Sequence, residues 1–73
     1  MKSILTIRLK RKHFIVFDFI GMEDSDTLEL VSLACRRGNI PPDYVADFVD
    51  GRRSTIQHVT GDFTLSLKRE RIN

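Results

Sequence analysis

Between Ser3 and Lys10 the chain alternates, with Leu5, Ile7 and Leu9 on one side and Thr6, Arg8 and Lys10 on the other. A period of two sends one row into a core and the other to water, so this is a half-buried β-strand with a charged outer face. His13 to Ile20 differs: Ile15, Phe17 and Phe19 lie on one side, but Phe14, Val16 and Ile20 make the other side apolar too. A strand apolar on both faces is expected in the middle of a sheet or covered twice. Lys10-Arg11-Lys12 reads as a three-residue hairpin loop, setting Ile7 opposite Ile15 and Leu5 opposite Phe17. A two-residue loop misaligns the apolar rows, because a slip of one residue turns every side chain to the other face. Lys and Arg on the outer strand face are expected to discourage edge-to-edge pairing.

Gly21 ends the second strand, and Asp24-Ser25-Asp26-Thr27 brings helix-start chemistry. Asp26 as N-cap with Glu29 three residues on has capping-box spacing. Leu28, Leu30, Val31, Leu33, Ala34 and Cys35 make an apolar stripe at helical spacing. Arg36 and Arg37 suit the negative helix end, and Gly38 suits a left-handed stop, which predicts a helix over Asp26 to Arg37. After Ile40-Pro41-Pro42 two readings compete. Tyr44, Val45, Phe48 and Val49 share one face of a short helix, whereas Asp50-Gly51 is also a hairpin-turn dipeptide. The proline pair and the apolar spacing favour the helix. Ser54 to Thr60 and Asp62 to Lys68 read as a hairpin about Gly61, with Phe63, Leu65 and Leu67 inward and Ile56 or Val59 opposite. Residues 69–73 read as a flexible basic tail.

The expected order is ββααββ: an α+β fold, a small antiparallel sheet of two β-hairpins with one long and one short helix between them. The expected core comprises Leu5, Ile7, Ile15, Phe17, Leu30, Ala34, Phe48 and Leu65. At 73 residues the chain makes one domain, 1–73. A domain of this size buries only about 60% of the surface its unfolded chain exposes, which argues against a deep cleft or a large buried cofactor. No uncharged run approaches the roughly 20 residues that span a bilayer. The apolar part of the opening segment is too brief for a signal peptide.

Chemistry is sparse. Cys35 is the one cysteine, so no internal disulfide and no paired-thiol zinc site can form, and a reducing cytosol is the natural setting. Cys35 falls on the apolar helix stripe and reads as a structural thiol. His13 sits beside a basic loop and His58 lies mid-strand, without metal-ligand spacing. The glycines are isolated turn residues rather than a phosphate-cradling loop. Neither catalysis, a metal nor a cofactor is expected.

Charge is more informative. The net charge is only +2, yet residues 1–13 carry Lys2, Arg8, Lys10, Arg11 and Lys12 and no acid. Residues 14–50 hold most of the acids, and Arg52, Arg53, Lys68, Arg69 and Arg71 make the end basic again. Such asymmetry speaks to partners and association rates, not to fold. The candidate partner-binding residues are Arg8, Lys10, Arg11 and Lys12 at one turn, Arg52 and Arg53 at another, and the acids Asp43 and Asp47, which with Asp50 also fit a solvated helix face. Cations at turns can neutralise phosphates, but single-strand readers add exposed aromatics, and here only Tyr44 looks partly free. A protein's acidic surface and a nucleic acid both remain open as partners of the basic tip.

The whole chain resembles the small regulators that lytic bacteriophages make to bind the host RNA polymerase. The resemblance rests on the 73-residue length, the single domain, the opening Met1-Lys2-Ser3-Ile4-Leu5-Thr6-Ile7 strand with its basic hairpin, and the lack of catalytic residues. It implies a non-enzymatic protein of the host bacterial cytosol that docks on bacterial RNA polymerase and blocks initiation at host promoters, with antitermination as a further output. It carries over no site residue, and implies weak or indirect contact with nucleic acid, no membrane and no small-molecule substrate. The alternative is a small basic nucleic-acid-binding module.

Overall fold

The computed structural model describes residues 2–72. Strand β1 (Lys2–Arg11) and strand β2 (Phe14–Met22) lead into helix α1 (Ser25–Arg37). A 3₁₀ turn over Pro42–Val45 runs into a single helical turn, α2 (Ala46–Val49), and strands β3 (Thr55–Thr60) and β4 (Phe63–Ile72) complete the fold. The strands form one antiparallel sheet in the order β2-β1-β4-β3, so the fold is α+β. The helical segments pack on one face, over Leu5, Ile7 and Leu9 of β1 and Leu65 and Leu67 of β4. No helix among the described residues is long and apolar enough to cross a membrane.

The first hairpin departs from the expected register. Its loop is the two-residue turn Lys12-His13, with Arg11 opposite Phe14 and Lys12 in the left-handed region at φ 55°. A β-bulge repairs the misalignment: Leu9 faces Phe17 and Lys10 faces Ile15, so Val16 is the extra residue. Beyond the bulge Ile7 lies opposite Phe19 and Leu5 opposite Gly21, which returns Phe17 and Phe19 to the core side. Ile15 is therefore not core; it stands beside Lys10 and is 55% exposed. Phe14, too, is exposed.

β2 is an edge strand, not a central one. Its second apolar row is uncovered rather than doubly buried. The charged row of Arg8 and Lys10 belongs to central β1, so it guards no edge.

Helix α1 begins two residues earlier than the Asp26 cap predicts. Asp24 is the N-cap: its Oδ1 accepts from the Thr27 N–H at 2.8 Å, and the Asp24 N–H donates to Thr27 Oγ1 at 2.7 Å. Thr27 thus closes the box that Glu29 was expected to close, because Asp24-Ser25-Asp26-Thr27 has the same spacing. At the other end Asn39, at φ 54°, takes the left-handed position, while Gly38 keeps an ordinary φ of −94°. Gly38 is needed for space: a Cβ there would sit 3.0 Å from Leu9 Cδ1 and 3.2 Å from Ile40 Cδ1.

The helical reading of residues 43–50 holds. Asp50 and Gly51 donate to the carbonyls of Ala46 and Phe48, and Gly51, at φ 84°, ends the turn. The sequence places residues 69–73 in a flexible tail, but β4 continues to Ile72 and pairs with β1 out to Lys2; residue 73 lies outside the described residues. Leu5, Ile7, Ala34, Phe48 and Leu65 are fully buried as expected, and Phe17 and Leu30 pack against the core half-buried. Leu9, Val31, Ile40, Val45 and Leu67 join them. Ile56, not Val59, is the inward residue of β3.

Candidate functional site

Successive residues of a strand point to opposite faces. With Leu5, Ile7 and Leu9 under the helices, β1 turns Ile4, Thr6, Arg8 and Lys10 to the uncovered face. Register sets Met22 beside Ile4, Ile20 beside Thr6 and Asp18 beside Arg8, while β4 brings Lys68, Glu70 and Ile72 from the other side. Ile4, Ile20, Met22 and Ile72 are thus cross-strand or diagonal neighbours on one end of a bare sheet, and Ile20 is 64% exposed. Beside this apolar patch Arg8 and Lys68 are paired with acids, while Lys2 stands opposite Ile72. Arg8 Nε donates to Asp18 Oδ1 at 3.3 Å, and Lys68 Nζ lies 2.6 Å from Glu70 Oε1.

The expected site residues do not form one surface. Lys10, Arg11 and Lys12 sit at the hairpin end, where the Lys12 N–H donates to the Asp62 carbonyl at 3.1 Å and so joins the two hairpin turns. Arg11 lies over the Phe63 ring, 5.8 Å from its centroid. Arg8 stands further along β1, held by Asp18. Arg52 and Arg53 lie at the opposite end of the sheet, where β3 starts. Their N–H groups both donate to the Asp47 carbonyl, at 2.8 and 3.1 Å, and cap α2. The Asp47 carboxylate is 3.8 Å from Arg52 Nη1, and Asp43 is exposed on the 3₁₀ turn. Among the described residues no cluster of His, Cys, Asp and Glu could hold a metal.

Tyr44 is partly free as expected: it is 55% exposed, with its ring stacked on His58 at a centroid distance of 4.3 Å. Sequence reasoning missed the Ile4, Ile20, Met22 and Ile72 patch. The signal was present in the second apolar row of β2, which marks an uncovered face as well as it marks a buried one.

Cys35 is fully buried between α1 and the sheet, and burial pushes its thiol pKa up. The thiolate is the reactive form, so reactivity at neutral pH falls twice, through access and through ionisation. Labelling of the folded protein by a thiol reagent is expected to be much slower than labelling in denaturant. Native labelling at a free-cysteine rate would contradict the structural role.

Comparison of the chain with protein-family models, curated proteins and solved structures finds no match.

Proposed function

We propose that this protein is a non-enzymatic regulator that docks on bacterial RNA polymerase in the host cytosol and inhibits initiation at host promoters, with antitermination as a further consequence of the same docking. The observation that carries a protein partner is the bare patch of Ile4, Ile20, Met22 and Ile72 beside the Arg8–Asp18 and Lys68–Glu70 pairs. Apolar surface rimmed by polar groups suits a protein interface, whereas a phosphate-backbone binder uses its cations on phosphates. The choice of polymerase rests on the resemblance carried by the opening strand and its basic hairpin.

One observation favours the second reading, a basic nucleic-acid-binding module. Lys10, Arg11 and Lys12 are exposed at one tip, without an ion-pair partner among the described residues. Titrating purified bacterial polymerase and free duplex DNA in parallel separates the two, at an ionic strength of about 0.15 M, where steering beyond about 8 Å is screened. The expected result is stable polymerase binding and weak, salt-sensitive DNA binding. Replacing all three tip cations by Glu then mainly slows association with the polymerase, the usual effect of rim charges. For a DNA binder the same change abolishes binding, and every phosphate that is no longer neutralised flattens the salt slope by about 0.9. Tight DNA binding without polymerase binding would refute the first reading.

A further inference from the structure

We propose that β2 is a homodimerisation edge, along which two copies of this chain pair antiparallel about a two-fold axis at Ile20 to make one continuous eight-stranded sheet. Such self-pairing involves this chain alone and does not depend on polymerase docking.

The backbone sets the register. β2 is the last strand on its side of the sheet. The Glu23 N–H donates to the Ser3 carbonyl at 2.8 Å. Backbone groups of successive residues in an antiparallel strand alternate in direction, so those of Gly21, Phe19 and Phe17 also turn toward β1. Those of Asp18, Ile20 and Met22 turn outward, to an edge that pairs with no strand among the described residues. The bulge at Val16 disrupts the edge toward the hairpin turn but leaves Phe17 to Met22 regular. Proteins usually guard such an edge with lysine, proline or an inward charge. In the regular part of β2 the only charge is Asp18, already held by Arg8.

An antiparallel pair centred on Ile20 sets Ile20 against Ile20 of the second copy and Asp18 against Met22. Every outward N–H and C=O of the three residues then has a partner, and no like charges face each other. Centring the pair on Asp18 would oppose two carboxylates, which is destabilising.

The ends of β2 complement each other. Its first end adjoins the tip cations Lys10, Arg11 and Lys12, and its last end runs toward the exposed Asp24 and Asp26, Glu23 being held by Arg69. Antiparallel pairing directs the basic tip of each copy toward the acidic end of the other. The alternative edge lacks this property. β3 starts after Arg52 and Arg53 and ends beside Asp62, which is bonded to the Lys12 turn. Pairing β3 with itself brings those arginines toward the basic tip of the second copy. Pairing β2 with β3 sets tip beside tip and makes an open-ended array, whereas the β2 pair closes.

The test uses the purified protein, its mass in solution measured across a concentration series, with amide hydrogen exchange. Wild type is expected to reach twice its 8.5 kDa chain mass and to protect the amides of Asp18, Ile20 and Met22. Ile20 lies on the bare face, so Ile20→Lys and Ile20→Glu leave the core intact. Each alone is expected to be monomeric with those amides open, because like charges then meet at the axis. An equal mixture of the two is expected to restore the dimer, and Val59→Lys on β3 to leave it unchanged. A wild type that stays monomeric at all concentrations overturns the proposal. So does a dimer with those three amides unprotected, one broken by Val59→Lys, or a charge-swapped mixture that stays monomeric.

Discussion

Replacing Arg69 by alanine is expected to destabilise the fold by about 3–5 kcal/mol, the usual cost of removing one partner from a buried ion pair. On a chain of 73 residues that is enough to leave much of the population unfolded. The guanidinium donates through Nε and Nη2 to the Glu23 carboxylate at 2.6–2.8 Å, through Nη2 to the Phe48 carbonyl at 3.0 Å and through Nη1 to the Arg53 carbonyl at 3.2 Å. It also lies 4.3 Å from the Phe48 ring centroid. One side chain on β4 thus ties the exit of β2, the end of α2 and the entry to β3. Only 14% of the Arg69 side chain and 17% of that of Glu23 are exposed, so alanine leaves a carboxylate largely cut off from water. The double replacement Arg69→Met with Glu23→Leu is expected to recover a large part of the loss, because neither charge then needs the other. Denaturant melts of both variants check this; a fully stable Arg69→Ala protein would show the hub to be decoration.

Phe48→Ala is expected to cost a similar amount, about 3–5 kcal/mol, because the ring is fully buried in the core. The location makes the loss unusual in character. α2 is a single turn, far below the roughly 12 residues at which a helix begins to hold itself in water. It is held by what it packs against: Phe48, Val45 and the bond from Arg69 to the Phe48 carbonyl. Residues 42–53 are expected to lose amide protection before the sheet does. Since Phe48 and Arg69 touch, their replacements should not add, and the double variant is expected to lose less than the sum of the singles. A strictly additive pair, measured by denaturant titration, would show that the two side chains are not coupled.

Local signals on this chain proved reliable where one physical effect dominated. The alternation of Leu5, Ile7 and Leu9, the helical stripe through Val31, Ala34 and Cys35, and the proline-led turn at Phe48 all have single consequences. Signals that depend on neighbours far along the chain were ambiguous. Two apolar faces on β2 suit a central strand and an uncovered edge equally well, and nothing between His13 and Ile20 records that β4 takes the other side of β1. Val16 as a bulge is likewise invisible without the partner strand. Arg69 looked like tail charge because its carboxylate partner is Glu23, in a distant part of the sequence. The candidate surface suffered most: the cations were legible, but whether each faces water, a carboxylate or a carbonyl is decided by register.

The pairing of β1 with β4 also governs how quickly this fold can be reached. The central ladder joins Lys2 to Ile72, so the two strands that carry the sheet's fully buried residues are the furthest apart in the chain. Loop-closure entropy must be overcome before that ladder returns anything, and topologies rich in such distant contacts fold slowly. While the chain is being synthesised, β1 and β2 can form a hairpin and α1 can cover it, but Leu5, Ile7 and Leu9 have only half their company until Leu65 and Leu67 emerge. The apolar rows of a nascent chain therefore stay open to chaperones, or to one another, until synthesis has passed β4.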